Sequence, residues 1–367
     1  MGVHLNYRFE PGSAAIPGEE GLQLENPLFR ILAAVREGGS ISCAAKTLGL
    51  SYRYVWGFLK EQETALGRPL LAGRAGQSAR LSEFGERLVW AERRAHARLM
   101  PRAEELAAQL DNELLLAVKP ELRPLLVSTS HDLLFSALRD RVRQRAEVLL
   151  EFEYLGSAKA LDRLNRGECA LAGVHMPLND LHLCQRGSVV HSRIGRRLKL
   201  GDHKLIRFAT RSQGFMVSRG NPLGIRSVGD LRRPGVHFVN RQAGSGTRVL
   251  FDEFLVQHGV PGMAIEGYGD VETTHLAVAA CVAAGVANCG FGLKAAAARF
   301  GLGFVPMVDE QFFLVCHKPV LDSAPLQAIL EVLRSAEFRS LAATVPGYAA
   351  DEAGQIIFLR RTLPWYK

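Results

Sequence analysis

Val236-His237-Phe238-Val239-Asn240-Arg241-Gln242-Ala243-Gly244-Ser245-Gly246-Thr247-Arg248, residues 236–248, is the stretch on which the fold turns. Val236 to Val239 has the apolar character of a short strand. The glycine-rich run that follows leads into helical spacing from Val249 to His258. Strand, glycine turn and helix in that order make one α/β unit. The first-turn N–H groups of such a helix lack intrahelical partners, and its dipole presents positive charge there. Gly244 and Gly246 let an anion approach the backbone, Ser245 and Thr247 add hydroxyls, and Arg241 or Arg248 adds charge. The Gly-Lys-Ser/Thr ending of a nucleotide-binding loop is absent. The plain alternative is a capped turn that binds nothing.

Working outward, the same grammar repeats. Leu125-Leu126-Val127 is a strand closed by Ser128-Thr129-Ser130, with a helical pattern from Asp132 to Arg145. Val148 to Tyr154 is a strand ended by Gly156-Ser157, followed by a helix from Ala158 to Arg166. Cys169 to Val174 is a strand ended by His175. This alternation predicts a parallel sheet with right-handed crossovers. Residues 205–219 read as a strand pair. Thr273-Thr274-His275 opens a helix over 273–285, and Ala287–Cys289 is a strand. A helix (294–300), two short strands (303–307 and 311–316) and a helical region (325–342) complete the series. Ligands of open α/β sheets bind at the carboxyl ends of strands. The candidate anion-binding residues are therefore Ser128, Thr129, Ser130, Ser157, His175, Arg241, Ser245, Gly246, Thr247, Arg248, Thr274 and His275. Hydroxyls that only cap helices, and a histidine that is only structural, are the bland readings of this set. Residues 186–248 carry fourteen Lys/Arg against two acids, a cleft wall or a surface for DNA or another subunit.

The first hundred residues have another texture. Residues 1–25 are a loose arm rich in Gly and Pro. Asn26 and Pro27 then offer an N-cap and a first helical residue. Gly38-Gly39 ends that helix. Ser40 caps a second helix that stops at Gly49, and Ser51 caps a third carrying Tyr52, Arg53, Trp56 and Lys60. Two short helices around a tight glycine turn are a helix-turn-helix pattern. Leu70-Leu71, a basic tip with Arg74, and Arg80-Leu81 read as a hairpin, after which Ser82 and Glu83 open a helix to about residue 115. Between residues 40 and 103 there are eleven Lys/Arg against five acids, a footprint suited to phosphates. Candidate DNA contacts are Ser40, Ser51, Tyr52, Arg53, Trp56, Lys60, Arg74 and Arg80; a core role for Trp56 is equally open.

The chain of 367 residues exceeds what one core usually organises, and 47% hydrophobic residues suffice for several. A net charge of +8 suits polyanions or anionic ligands. Six cysteines without a Cys-x-x-Cys pair, and no metal-ligand spacing, suggest free thiols in a reducing compartment. No secretory start and no long apolar run is present, so a cytoplasmic location without a membrane partner is expected. No nucleophile–base set or carboxylate pair stands at a strand end, so catalytic residues, metal and cofactor are all expected to be absent.

Residues 27 to about 115 resemble the winged helix-turn-helix of LysR-type regulators, and especially the head of the molybdate-responsive ModE family. The resemblance rests on Gly-Gly-Ser-Ile-Ser-Cys-Ala-Ala-Lys-Thr-Leu-Gly-Leu-Ser-Tyr-Arg-Tyr-Val-Trp, Leu-Gly-Arg-Pro-Leu and Leu-Ser-Glu-Phe-Gly-Glu-Arg-Leu, with Ser-Tyr-Arg-x-x-Trp as the ModE-like feature. Residues 121 to about 350 resemble a periplasmic-binding-protein-like domain through Ser-Thr-Ser-His-Asp, Ala-Gly-Val-His, Asn-Arg-Gln-Ala-Gly-Ser-Gly-Thr-Arg and Glu-Thr-Thr-His-x-Ala-Val-Ala. Secreted relatives of that domain bind molybdate, tungstate, phosphate or sulfate. ModE proteins sense through small β-barrels that this chain lacks, so their ligand does not carry over. The resemblance implies an arm (1–25), a winged helix-turn-helix (26–81), a linker and dimerisation helix (82–118), and an α/β sensing domain (119–350). That domain would have lobes of about 121–205 plus 310–350 and of 206–309, followed by a tail (351–367). The expected function is a one-component transcriptional regulator, a homodimer or homotetramer on double-stranded DNA, responding to a small anion of molybdate or tungstate type. Formate, sulfate or phosphate are alternatives. A molybdenum-cofactor-related enzyme and a transport solute receptor are the readings from other classes.

Overall fold

The computed structural model describes residues 26–72, 80–146, 148–177 and 183–366. The chain divides into two compact units, Met1–Glu104 and Glu105–Lys367. In the first, α1 (Pro27–Gly38), α2 (Ile41–Thr47) and α3 (Tyr52–Leu66) pack around Leu32, Val35, Ala44, Val55 and Leu59. The caps read from the sequence are made. Asn26, Ser40 and Ser51 accept from Leu28 N, Cys43 N and Tyr54 N. Each satisfies an orphan donor of a first turn, a contribution of about 1 kcal/mol. Strands β1 (Leu71–Ala72) and β2 (Arg80–Leu81) pair antiparallel, and α4 (Glu83–Val118) follows with Ser82 accepting from Gly85 N. The unit boundary falls inside α4. The arm and the hairpin tip with Arg74 lie outside the described residues.

The second unit opens with β3 (Leu125–Thr129), α5 (Phe135–Ala146), β4 (Leu150–Tyr154), α6 (Ser157–Asn165) and β5 (Leu171–Met176). After α7 (Val189–Arg193), β6 (His203–Val217) runs fifteen residues. Then come β7 (Phe238–Arg241), α8 (Gly246–Gln257), β8 (Val271–Glu272), α9 (His275–Ala283), β9 (Cys289–Leu293) and α10 (Lys294–Arg299). A second fifteen-residue strand, β10 (Gly303–His317), returns the chain. The unit closes with α11 (Ala324–Arg334), α12 (Ala336–Thr344), β11 (Tyr348–Ala349), β12 (Ile356–Phe358) and α13 (Leu359–Thr362).

The strand order is β4-β3-β5-β10-β6-β9-β7-β8. β3, β4 and β5 are mutually parallel, as are β7, β8 and β9. Between these two parallel groups β6 and β10 run antiparallel to their neighbours and to each other. Each crosses from one α/β lobe to the other, which is the two-lobe layout expected. The strand pair expected over 205–219 is instead one strand, and 303–307 and 311–316 are halves of another. Register shifts at Pro306/Val308 and Phe312/Phe313 account for the second misreading. They break the side-chain alternation without ending the strand. The helical region 325–342 is two helices, with Ser335 capping the second through Phe338 N. Residues 351–367 are not a loose tail: β12 pairs with β6, and Trp365 is buried against the first lobe's outer core. None of the six cysteines is in a disulfide, and only Cys43 is exposed. Among the described residues no helix is long and apolar enough to cross a membrane.

Candidate anion cleft and DNA-binding head

The two lobes meet through their helix starts. Gly156, the N-cap of α6, lies so close to the Gly244 carbonyl that a Cβ there would stand 2.1 Å from the oxygen. A Cβ on Gly246, the first residue of α8, would come within 3.1 Å of the His175 ring at the end of β5. The approach at Gly156 is one that glycine alone admits, and at Gly246 the His175 ring would have to give way by a few tenths of an ångström.

Beneath them lies a buried polar network that the sequence reading missed. Arg211 of β6 donates through Nε to Glu310 Oε1 at 3.0 Å and through Nη1 to Asp132 Oδ2 at 2.5 Å. Its Nη2 pairs with Glu310 and meets His175 Nδ1 at 2.8 Å. The Tyr348 hydroxyl donates to Asp132 Oδ2 at 2.9 Å. Arg211 and Glu310 face each other across β6 and β10. Burial opposes ionisation of Arg211, but Glu310, Tyr348 and Asp132 together hold its pKa above the ordinary arginine value. This guanidinium is charged and neutralised.

Arg241, at the end of β7, is the contrast. It is 5% exposed, and of its side-chain nitrogens only Nη2 is bonded, to the Thr273 carbonyl at 2.9 Å. Nε and Nη1 are buried without a partner, and among the described residues no carboxylate forms an ion pair with it. Burial and the nearby Arg211 charge bring its pKa down to about 10. A buried charge is normally paired, because desolvating an ion costs several kcal/mol. Two further buried groups without a partner are His275 Nδ1 at the start of α9, which feels the Arg241 charge, and Ser157 Oγ at the start of α6. His175 and His275 both feel the Arg241 charge. Burial first, and neighbouring cations second, hold both imidazoles neutral, with pKa values well below the ordinary value.

The other candidates sort by their bonds. Ser130 Oγ meets His175 Nε2 at 2.5 Å. Thr247 Oγ1 lies 3.4 Å from His275 Nε2. Ser245 and Thr274 are N-caps, accepting from Arg248 N and Ala277 N. Ser128 donates to Glu153, which also holds Arg163, and Thr129 bonds the Ser130 carbonyl. Arg248 is taken up by Asp252 at 2.8 Å and lies over the Tyr268 ring. Of the two arginines in the opening motif, Arg241 is thus the unneutralised one. At the far ends of β6 and β10, Asp202, His203 and His317 also converge; His317 Nδ1 faces Asp202 at 3.0 Å and Nε2 the Leu164 carbonyl at 2.9 Å.

In the head, Val55 and Leu59 fix the inner face of α3, and Tyr52, Arg53, Trp56 and Lys60 are exposed on its outer side. Trp56 is 46% exposed, so its ring is not in the head's core. Lys60 bonds Glu63, whose other oxygen accepts from Leu70 N and Leu71 N and anchors the hairpin. Arg80 and Ser51 are exposed, and Ser40 is half-buried as a cap.

Comparison with known proteins agrees with both halves. Residues 139–334 match the family described as PBP superfamily domain, and residues 27–86 match the bacterial regulatory helix-turn-helix proteins of the lysR family. YvgK of Bacillus subtilis, described as uncharacterized, is 29% identical over 258 residues, covering 70% of this chain and 82% of that protein. The molybdenum transport protein ModE of Azotobacter vinelandii is 33% identical over 73 residues, 19% of this chain and 27% of ModE. A crystal structure of full-length BenM aligns over 86% of this chain and 95% of its own at 17% identity, with a TM-score of 0.41.

The neutral histidines carry a pH signature. In the unfolded chain they titrate near ~6.5. In the fold, His175 and His275 take protons only well below that, and burial brings His203 down to about 4. Below pH ~6.5 the unfolded state therefore binds more protons, and stability falls as pH falls. The urea midpoint should drop between pH 7 and 5, while these groups add no slope between 7 and 8. His275→Gln should lessen the drop; a midpoint as high at pH 5 as at 7 would mean that the imidazoles ionise within the fold. With the two lobes, the buried network and the exposed side of α3 in place, the chain belongs to the PBP superfamily, and its residues 27–86 match the lysR-family helix-turn-helix.

Proposed function

We propose that this chain is a one-component transcriptional regulator whose DNA-binding head responds to a small oxyanion held between the two α/β lobes, molybdate or tungstate foremost. The observation that carries the anion is Arg241, a buried guanidinium with two unpartnered nitrogens at the end of β7, where the loop into α8 begins. An anion there would replace the missing counter-charge and accept from groups otherwise left unsatisfied. Molybdate and tungstate stand first because residues 121 to about 350 resemble a domain whose secreted relatives bind such oxyanions; the similarity to ModE spans 73 residues, 27% of that protein, and does not bear on the ligand. Sulfate, phosphate and formate share enough of the chemistry to be tested beside them.

On the DNA side, α3 would enter the major groove with Tyr52, Arg53 and Lys60 toward the bases, and the hairpin would meet phosphates through Arg80. Trp56 stands on the same exposed side. The linker helix α4 leaves Leu106, Leu110, Leu114 and Val118 exposed at helical spacing, a stripe suited to a second copy. A ligand that favours one arrangement of the assembly would shift its population by the difference in affinity and no more.

Calorimetry on the full chain tests the sensor. Molybdate or tungstate should bind, and Arg241→Met should weaken binding by at least about thirtyfold, since truncating one partner of a buried charge pair costs about 2–5 kcal/mol. If none of molybdate, tungstate, sulfate, phosphate and formate binds, the oxyanion reading fails. For the head, Arg53→Glu should abolish specific retention of a fragment from the gene's upstream region in a mobility-shift assay; unchanged affinity would remove α3 from the interface. Leu110→Asp combined with Leu114→Asp should move the sedimenting species toward the monomer, and an unchanged oligomer would place the subunit contact elsewhere.

A further inference from the structure

The basic residues at 186–199 take no part in the cleft network. Residues 181–201 hold five Lys/Arg and residues 353–367 hold three, with no Asp or Glu in either segment. The fold sets these two acid-free segments against each other. Arg186 Nη2 donates to the Trp365 carbonyl at 3.1 Å, and the Tyr366 hydroxyl donates to the Leu198 carbonyl at 2.8 Å. Between these bonds the His191 and Trp365 rings lie 5.3 Å apart. Ile194, Leu198, Leu359 and Leu363 turn into one core cluster. Arg186, Arg193, Arg196, Lys199, Arg360 and Arg361 are left exposed. Arg197 is taken up by Asp162 at 2.9 Å, but among the described residues the other six cations enter no ion pair. Beside them Phe358 is 51% exposed, with Lys204 Nζ 4.1 Å from its ring centre and the Arg361 guanidinium 6.0 Å from it.

Resting on the reading of the chain as a DNA-binding regulator, we infer that this face of the second unit is a further nucleic-acid contact, which grips the phosphate backbone of duplex DNA without reading its sequence. Cations gathered on two joined segments repel one another, and a polyanion relieves that repulsion while releasing its own counterions. Five of the six are arginines, whose planar fork matches phosphate oxygens two at a time. A protein partner would want an apolar centre inside the charged rim, and the large exposed apolar residues on these segments are Leu200 and Phe358 alone. A membrane surface would want an amphipathic helix with an apolar side to sink into it. Here α7 has five residues and α13 four, and their apolar residues Val190 and Leu359 are buried in the protein. Contacts to phosphate add affinity and salt dependence equally on every sequence, so the choice of site stays with the head.

The test is fluorescence anisotropy on the full chain with two labelled duplexes, the gene's upstream fragment and an unrelated sequence of equal length, across a salt series. In one variant Arg193, Arg196, Arg360 and Arg361 are all replaced by Gln. A control loses the same charge through Gln at Arg226, Arg232, Arg299 and Arg339, which are exposed on other segments of the second unit. Each phosphate contact adds about 0.9 to the slope of log affinity against log salt, so the first variant should have a slope shallower by about 2–4. Its affinity at 100 mM salt should fall at least about tenfold on both duplexes, with the ratio between them kept. The control should keep the wild-type slope. Adding the four substitutions to an Arg53→Glu chain should again flatten the slope, which reads the face apart from the head. An unchanged slope in the first variant, or an equal change in the control, would overturn the inference while discrimination between the duplexes leaves the head standing. So would an unchanged slope joined to loss of binding to phosphatidylserine vesicles, which would give the face to a membrane. Wild-type chain that binds neither duplex would overturn both.

Discussion

The sensing unit depends on how two buried arginines are treated. Arg211 is enclosed by Glu310 and Asp132 and by the Tyr348 hydroxyl on Asp132, so its charge is cancelled inside the protein. Arg241 has no such enclosure. One arginine is neutralised within the fold; the other keeps two nitrogens without a partner and is offset only by the more distant Glu310 charge. The two are also coupled, because the Arg211 charge helps lower the proton affinity of Arg241. A second cation held close to an unneutralised one is unfavourable unless an anion joins them, since like charges at short range in a low-dielectric site repel strongly.

The network does mechanical work as well. Arg211 lies on β6, Glu310 on β10, Asp132 just before α5, His175 on β5 and Tyr348 on β11. Five separate segments are tied at one point in the crossing region of the sheet. β6 and β10 are the strands that run through both lobes, so the knot sits where the lobes join. Such a buried set is costly to break at any single member, because the remaining charge is left uncompensated. It gives the cleft floor a fixed geometry, and His175 takes its orientation and its tautomer from it.

The parts of this arrangement that are local in sequence were legible, and those that are not were not. The caps at Asn26, Ser40, Ser51 and Ser82 are signalled within four residues of where they act. The strand, glycine turn and helix around Gly244 are legible for the same reason. Arg211 and Glu310 stand 99 positions apart, each a charge within an apolar strand. β6 also carries Lys204 and Arg207 and β10 also carries Asp309, so neither the pairing nor its register was marked in the sequence. β10 was divided because its register shifts disrupt the alternation by which strands are recognised. Residues 351–367 lack the length and periodicity to announce β12, whose place is decided by the free edge of β6. Ser128 and Ser130 look alike in sequence, yet Ser128 lies within β3 and bonds Glu153 across the sheet, while Ser130 lies past the strand's end and meets His175.

The consequence for regulation is a constraint on where coupling can act. A Cβ at Gly156 would stand against the Gly244 carbonyl and one at Gly246 would press on the His175 ring, so the lobes approach each other there backbone to backbone. Recognition of a small anion between them would be carried by charge and hydrogen bonds, both of which are strongest in a desolvated site. A ligand of this kind gains most of its binding energy in the closed cleft and little in an open one. That differential affinity is the quantity a regulator needs: moving an equilibrium from 1:99 to 99:1 takes about 5.5 kcal/mol between the two states. A buried, unpaired guanidinium is among the few features in a small cleft able to supply a difference of that size. The boundary between the two units falls inside α4, so that helix is the covalent route by which one unit is joined to the other.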